Sequence, residues 1–454
     1  MDGNAQTPFE MRLSEVPSMP QPQLELSYST AIPSNGGVFK AAQEVRINFN
    51  APSESFVDLK RAYLKYTLTN KSGHKRFLDP VIGGATAIDT FRIVGGTGAL
   101  LEEIIHYNNY YAVLKTNDNG RVRDSLGHIS EGASTDSAQP TFSDTGQNDN
   151  DLDASGAKSL ANNGSITITH RPASAFFNAD RYLPLGYTQG NSYVSLTLCQ
   201  NETVFIAASD ATPDASGFEI SNVELHLPIL KPGPEFAAMF RSAMGSGVPI
   251  QIHSVGVQNT QQSITSGANN SETLTFSTRK RSVKSLMVGI RNNASITRNV
   301  AASVSGFINC AISEYNFSVG GVRVPAQLIK CGETDQGELI ANTQLALGYF
   351  SSDLRGVNCL EQRHLVKPVS NYYRSAADEK TNKKTSKCQF AVDLESYNAA
   401  YAGKNLAGQG LPLVLHCTTG DGDNANSASL CDMYVIHDVM YVLDGATGVI
   451  SANS

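Results

Sequence analysis

Val45, Ile47 and Phe49 alternate with polar neighbours, and a period of two puts one set of side chains on the buried face of a strand. The same alternation appears at Val194, Leu196 and Leu198, and again at Val223, Leu225 and Leu227. Residues 56–69 (FVDLKRAYLKYTLT) and 88–94 (IDTFRIV) are further β-rich runs. One stretch changes period. In residues 100–115 (LLEEIIHYNNYYAVLK), Leu100, Ile104, Tyr107, Tyr111 and Leu114 recur at spacings of four, three, four and three. That predicts a helix, with Glu102 and Glu103 in its first turn, where the helix dipole favours acids. The preceding Gly95, Gly96 and Gly98 read as a turn that needs glycine backbone.

The same grammar returns after Pro232-Gly233-Pro234. A short helix is expected at 235–244, then strands at 249–257, 273–277 and 283–290. Residues 311–324 read as a hairpin around Gly320-Gly321, followed by a helix at 338–349. A polar loop at 373–387 leads to strands at 388–394, 411–417 and 433–443. No residue-level repeat relates the halves; what repeats is the order of elements. The physical reading is two consecutive β-sandwiches joined by a short linker. Its boundaries are a polar, proline-containing arm at 1–23, a first unit at 24–234, a second at 235–446 and a tail at 447–454. The first unit contains a long Asp/Asn/Ser/Gly-rich excursion at about 117–164.

Composition fits this picture. Only 17% of the 454 residues are charged, below the usual quarter, and Gly, Ser, Thr, Asn and Ala fill the gap, favouring strands and turns over surface helices. The net charge of −7 and the lack of a long basic block argue against strong, direct nucleic-acid binding as the main role. Seven scattered cysteines, with no CxxC pair and no apolar leader, point to a reducing compartment rather than a disulfide framework. The sequons at Asn70, Asn163, Asn201, Asn269, Asn293 and Asn316 then read as chance matches.

Candidate chemistry is sparse. The chain has no HExxH, GxSxG or GxxxxGK[ST] motif, and no cofactor or catalytic residue is assigned. His416, Cys417, Cys431 and His437 would need to meet across strands to hold zinc and lack its tight pairs, so small buried hydrophobes are the favoured reading of the cysteines. Asp421 and Asp423 lie in a Gly-Asp-Gly-Asp-Asn loop without calcium-loop spacing. Tyr107 and Tyr111 are placed in the core rather than on a sugar platform. Arg279, Lys280, Arg281 and Lys284 form the densest basic run and are the candidate contact to nucleic acid or an import receptor; Lys380, Lys383, Lys384 and Lys387 are looser.

The order of segments resembles the double jelly-roll major capsid proteins of polintons, virophages and related DNA viruses, the lineage that includes adenovirus hexon. Phe56-Val57-Asp58-Leu59 with Ala62-Tyr63-Leu64 is similar to that family's Asp-Leu…Tyr-Leu strand. Residues 87–94 with the glycine turn and Tyr/Asn-rich segment, Tyr182-Leu183-Pro184-Leu185-Gly186, and residues 281–291 are similar in place and type. Residues 315–326 (YNFSVGGVRVPA) resemble its hairpin most specifically, and Phe390-Ala391-Val392-Asp393-Leu394 its closing strands. The loop at 117–164 has no counterpart in the pattern.

The resemblance implies an all-β chain of two eight-stranded jelly rolls with a few short helices. It implies no enzyme but a structural subunit of an icosahedral virion, assembled inside the host cell. Homotrimers with a pseudo-sixfold outline would tile the shell and contact one another, penton and minor capsid proteins; whether a membrane lies beneath is left open. The alternatives are another virion component, penton or spike, and a carbohydrate-binding β-sandwich, which needs an aromatic platform or facing carboxylates.

Overall fold

The computed structural model describes residues 24–79, 81–116, 127–133, 159–207, 217–247, 249–264, 271–292, 304–305, 307, 312–319, 321–331, 337–347, 389–396, 401–407, 413–419 and 429–454. The arm at 1–23, both aspartates of the 421–423 loop and the lysines at 380–387 lie outside these residues.

The first thirteen strands are β1 (Leu24–Ala31), β2 (Val38–Lys40), β3 (Glu44–Phe49), β4 (Phe56–Val57), β5 (Tyr63–Asn70), β6 (Arg76–Phe77), β7 (Ile88–Val94), β8 (Leu100–Ile104), β9 (Ser159–Leu160), β10 (Ser165–His170), β11 (Ser192–Leu198), β12 (Ile206–Ala207) and β13 (Phe218–Pro232). They share no sheet with the later nine: β14 (Ile250–Ile264), β15 (Ser271–Phe276), β16 (Val283–Asn292), β17 (Ile312–Val319), β18 (Val322–Lys330), β19 (Gln389–Asp393), β20 (Leu413–Thr419), β21 (Ser429–Leu443) and β22 (Ile450–Asn453). Three helices matter here: α1 (Tyr107–Thr116), α2 (Pro234–Gly245) and α3 (Gly337–Ala346).

The main path of one sheet runs β1-β13-β5-β10 and of a second β3-β11-β7-β8. In the later set the paths are β14-β21-β16-β19 and β15-β20-β17-β18. Counted along the chain, each set therefore reads first-eighth-third-sixth in one sheet and second-seventh-fourth-fifth in the other. Every pairing among the described strands is antiparallel. The first strand of each roll pairs along its whole length with the eighth, β1 with β13 and β14 with β21. Two four-stranded sheets joined in this order make a jelly roll, and the chain contains two. The extra strands β2 and β4 pair with β13, β22 pairs with β21, and β6, β9 and β12 form a small separate sheet.

The alternating patterns became half-buried strands, as at β3, where Val45, Ile47 and Phe49 are buried and Glu44, Arg46 and Asn48 exposed. The continuous apolar run of β16 has a different cause. Leu286, Val288 and Ile290 enter the core of the second roll, with Met433, Val435 and Phe390. Met287, with Tyr434 and Ala391 directly opposite it, points the other way into a cluster shared with the first roll. A sheet buried on both faces loses the polar half of its alternation. Each such fully buried aliphatic or aromatic side chain contributes about 1.5–3 kcal/mol.

Two expectations are corrected. Residues 100–104 are strand β8, and the helix begins only at Tyr107. His106, with φ of 53°, breaks the strand, and its carbonyl accepts from the amides of Asn109 and Tyr110. Glu102 and Glu103 are thus strand residues, with Glu103 paired across to Arg92 at 2.5 Å. Residues within the 447–454 tail form β22 on β21, with Ile450 buried. Residues 127–133 of the long excursion pack on the first roll, where Glu131 and Ala133 are buried. The helices expected at 235–244 and 338–349 are α2 and α3, and the hairpin is β17–β18. Both α1 and α3 lie between the fifth and sixth strands of their rolls.

Candidate functional site

The side of the first roll that carries β8 and α1 packs against the outer face of β14, β21 and β22. Aromatic rings cross this junction: Tyr110 lies 5.6 Å from Tyr434, and Phe176 meets Tyr441 edge-on at 5.4 Å.

Polar groups fasten the same junction. The Glu102 carboxylate accepts from Ser174 Oγ at 2.7 Å, the Ala175 amide at 2.7 Å and the Phe176 amide at 3.1 Å. Burial pushes its carboxyl up, against the lowering effect of those three donors. The segment so held reaches across: Ser254 Oγ on β14 donates to the Ala175 carbonyl at 2.6 Å. Asp79 holds its own turn through the amides of Val81 and Ile82, and its second oxygen accepts from the Ser305 amide at 3.1 Å and hydroxyl at 3.0 Å.

His253 of β14 links two carboxylates, with Nδ1 at 2.9 Å from Asp180 of the first roll and Nε2 at 2.6 Å from Asp438 of β21. Asp438 is buried and also accepts from Ser282 Oγ at 2.5 Å and the Tyr401 amide at 3.0 Å. Inside the first roll, Tyr107 OH lies 2.7 Å from His170 Nε2, while Glu131 sits 2.7 Å from both His170 Nδ1 and Tyr111 OH. This buried network ties residues 127–133 to α1 and β10, and places Tyr107 and Tyr111 in the core.

The basic run divides. Arg279 and Arg281 are exposed. Lys280 donates to Ser454 Oγ at 2.7 Å, and its ammonium pKa is lowered by burial. Lys284 pairs with Glu395 at 2.6 Å and lies 3.9 Å from Asp438. The four residues are therefore not equally available to a phosphate. Cys417 and His416 lie on β20, and Cys431 and His437 on β21, in different sheets, so they do not meet across adjacent strands. Cys199, Cys331 and Cys431 are buried. Asn70, whose amide donates to the carbonyls of His74 and Leu160, and Asn316 are buried, which closes those two sequons to modification. Sequence reasoning missed Asp79, Asp180, His253 and Asp438 as junction residues. Asp438 alone left a trace, as a carboxylate inside an apolar run.

No protein-family model and no curated protein matches the sequence. Solved structures match by fold. A chain of the PBCV-1 virus capsid superposes with a TM-score of 0.61 at 9% identity, over 96% of this chain and 98% of that one. The Faustovirus major capsid protein gives 0.53 at 10% identity, over 92% and 91%. A chain of the Sputnik virophage gives 0.51 at 11% identity, over 98% and 92%. With its two identical strand orders, the chain therefore has the double jelly-roll fold found in viral major capsid proteins.

Proposed function

We propose that the chain is a major capsid subunit that forms pseudo-hexameric trimers and tiles an icosahedral shell. The observation that carries this reading is the repeated strand order: two rolls of one topology, fixed side by side by a buried junction, give each chain two similar building blocks. Three chains then present six. Self-association supplies the binding energy, as large shared surfaces do in closed oligomers. The units are 24–234 and 235–446, and the arm at 1–23 runs along a neighbour or the shell interior. Penton and minor capsid proteins are the further partners, the virion is the location, and assembly takes place inside the host cell. Arg279 and Arg281, the exposed members of the basic run, are its candidate contacts to nucleic acid. Light scattering tests the reading: a stable species of three times the 48.6 kDa chain mass is expected, and a monomer under all assembly conditions opposes it.

A further inference from the structure

A cleft of about 310 Å³ opens at the junction, between β8 of the first roll and strands β14, β21 and β22 of the second. Its size is at the lower end of small-molecule sites. Its walls carry polar groups that the packing of the rolls leaves unpaired.

Lys280 lines the cleft and is half-buried. Its ammonium donates to Ser454 Oγ at 2.7 Å, and among the described residues no carboxylate pairs with it. The two acids on the facing strand β8 are already engaged. Glu102 accepts from three donors in residues 174–176, and Glu103 pairs with Arg92. His437 lines the same cleft, is buried, and lies close enough to Lys280 to feel its charge. Its Nδ1 is 3.1 Å from the Asp438 carbonyl. A carbonyl can only accept, so Nδ1 carries the proton and Nε2 keeps a lone pair. Tyr441, also buried and lining the cleft, has a hydroxyl without a hydrogen-bond partner among the described residues. Buried polar groups left in this state cost stability until something binds them.

We infer that this cleft binds a small oxyanion that carries a proton, of the hydrogen-phosphate class. A charged oxygen accepts from the Lys280 ammonium, and the P–OH donates to His437 Nε2. A carboxylate ion has no proton and leaves that nitrogen unpaired. The ligand sits between the rolls, so it stabilises the native chain by binding it. The site lies within one chain, so the capsid reading and this inference can fail separately.

Calorimetric titration of the full chain at neutral pH and fixed ionic strength tests the site, with inorganic phosphate, glycerol phosphate and acetate as probes. One phosphate per chain is expected, with a Kd of about 1 mM or tighter, and weaker binding of acetate. Uptake of glycerol phosphate as well identifies a monoester headgroup as the ligand; phosphate alone identifies the free ion. Lys280→Gln should weaken phosphate binding by about ten- to a hundredfold. Without phosphate it should melt no lower than wild type, because it removes a desolvated charge that has no partner. His437→Leu should abolish the preference for phosphate over acetate. Lys330→Gln, an exposed lysine on β18, should bind as wild type does. No phosphate uptake by the wild type, equal affinity in Lys280→Gln, or equal affinity for acetate and phosphate in the wild type overturns the inference.

Discussion

His253 Nδ1 lies 2.9 Å from Asp180 Oδ2, one residue on each roll, and the opposite ring nitrogen lies 2.6 Å from the buried Asp438. The imidazole is thus a cross-link between the rolls and a hydrogen-bond partner of a carboxylate that has left water. Removing it leaves Asp438 with Ser282, Tyr401 and, at 3.9 Å, Lys284, but without its partner across the sheet. His253→Ala is expected to destabilise by about 1–3 kcal/mol, read as a lower denaturant midpoint. Asp180→Asn, at an exposed position, should cost less.

Glu102 offers a sharper case. Its three donors come from residues 174–176, which also bind β14 and Tyr441. Glu102→Ala orphans those donors inside the junction and is expected to cost roughly 2–5 kcal/mol. The measurement is urea unfolding. A loss below roughly 0.5 kcal/mol, that of a neutral surface change, would contradict the role assigned to this carboxylate.

His437 should make the protein acid-sensitive. Burial lowers its pKa from 6.5 to about 4, with nearby Lys280 acting in the same direction. The unfolded chain therefore binds this proton before the native one does. The stability it contributes is present above pH 6.5 and is lost as pH falls towards 4. The loss is on the order of 3 kcal/mol. Melting temperature against pH should fall across that window in the wild type and less steeply in His437→Asn.

The glycine turn before β8 is a packing feature. A methyl group on Gly96 would collide with the backbone oxygen of Gln189 and lie 2.7 Å from the Gly190 carbonyl carbon. Neither backbone atom can swing aside, so Gly96→Ala is expected to destabilise by about 1–3 kcal/mol, read as a lower urea midpoint. Gly98→Ala meets no neighbouring atom, but its φ of 86° makes it strained by backbone alone.

Much of the fold was readable because its strands obey local rules. Val45, Ile47 and Phe49 alternate, and 433–443 is apolar enough to be a central strand. Residues 100–104 misled because a strand followed at once by a helix kept helical spacing by accident, from Leu100 and Ile104 on β8 to Tyr107 and Tyr111 on α1. The break depends on a left-handed backbone at His106, a conformation uncommon outside glycine. The pairings across the junction were not readable. Asp180 and His253 stand 73 positions apart, and Asp79 and Ser305 stand 226 apart. Such pairs follow from how the rolls pack and leave no spacing in the chain.

The most direct test of the central claim is electron microscopy of the purified oligomer in negative stain. Two rolls of one topology in each of three chains predict class averages with a hexagonal outline and six similar lobes. A three-lobed outline, or single particles of one chain mass, would contradict the account.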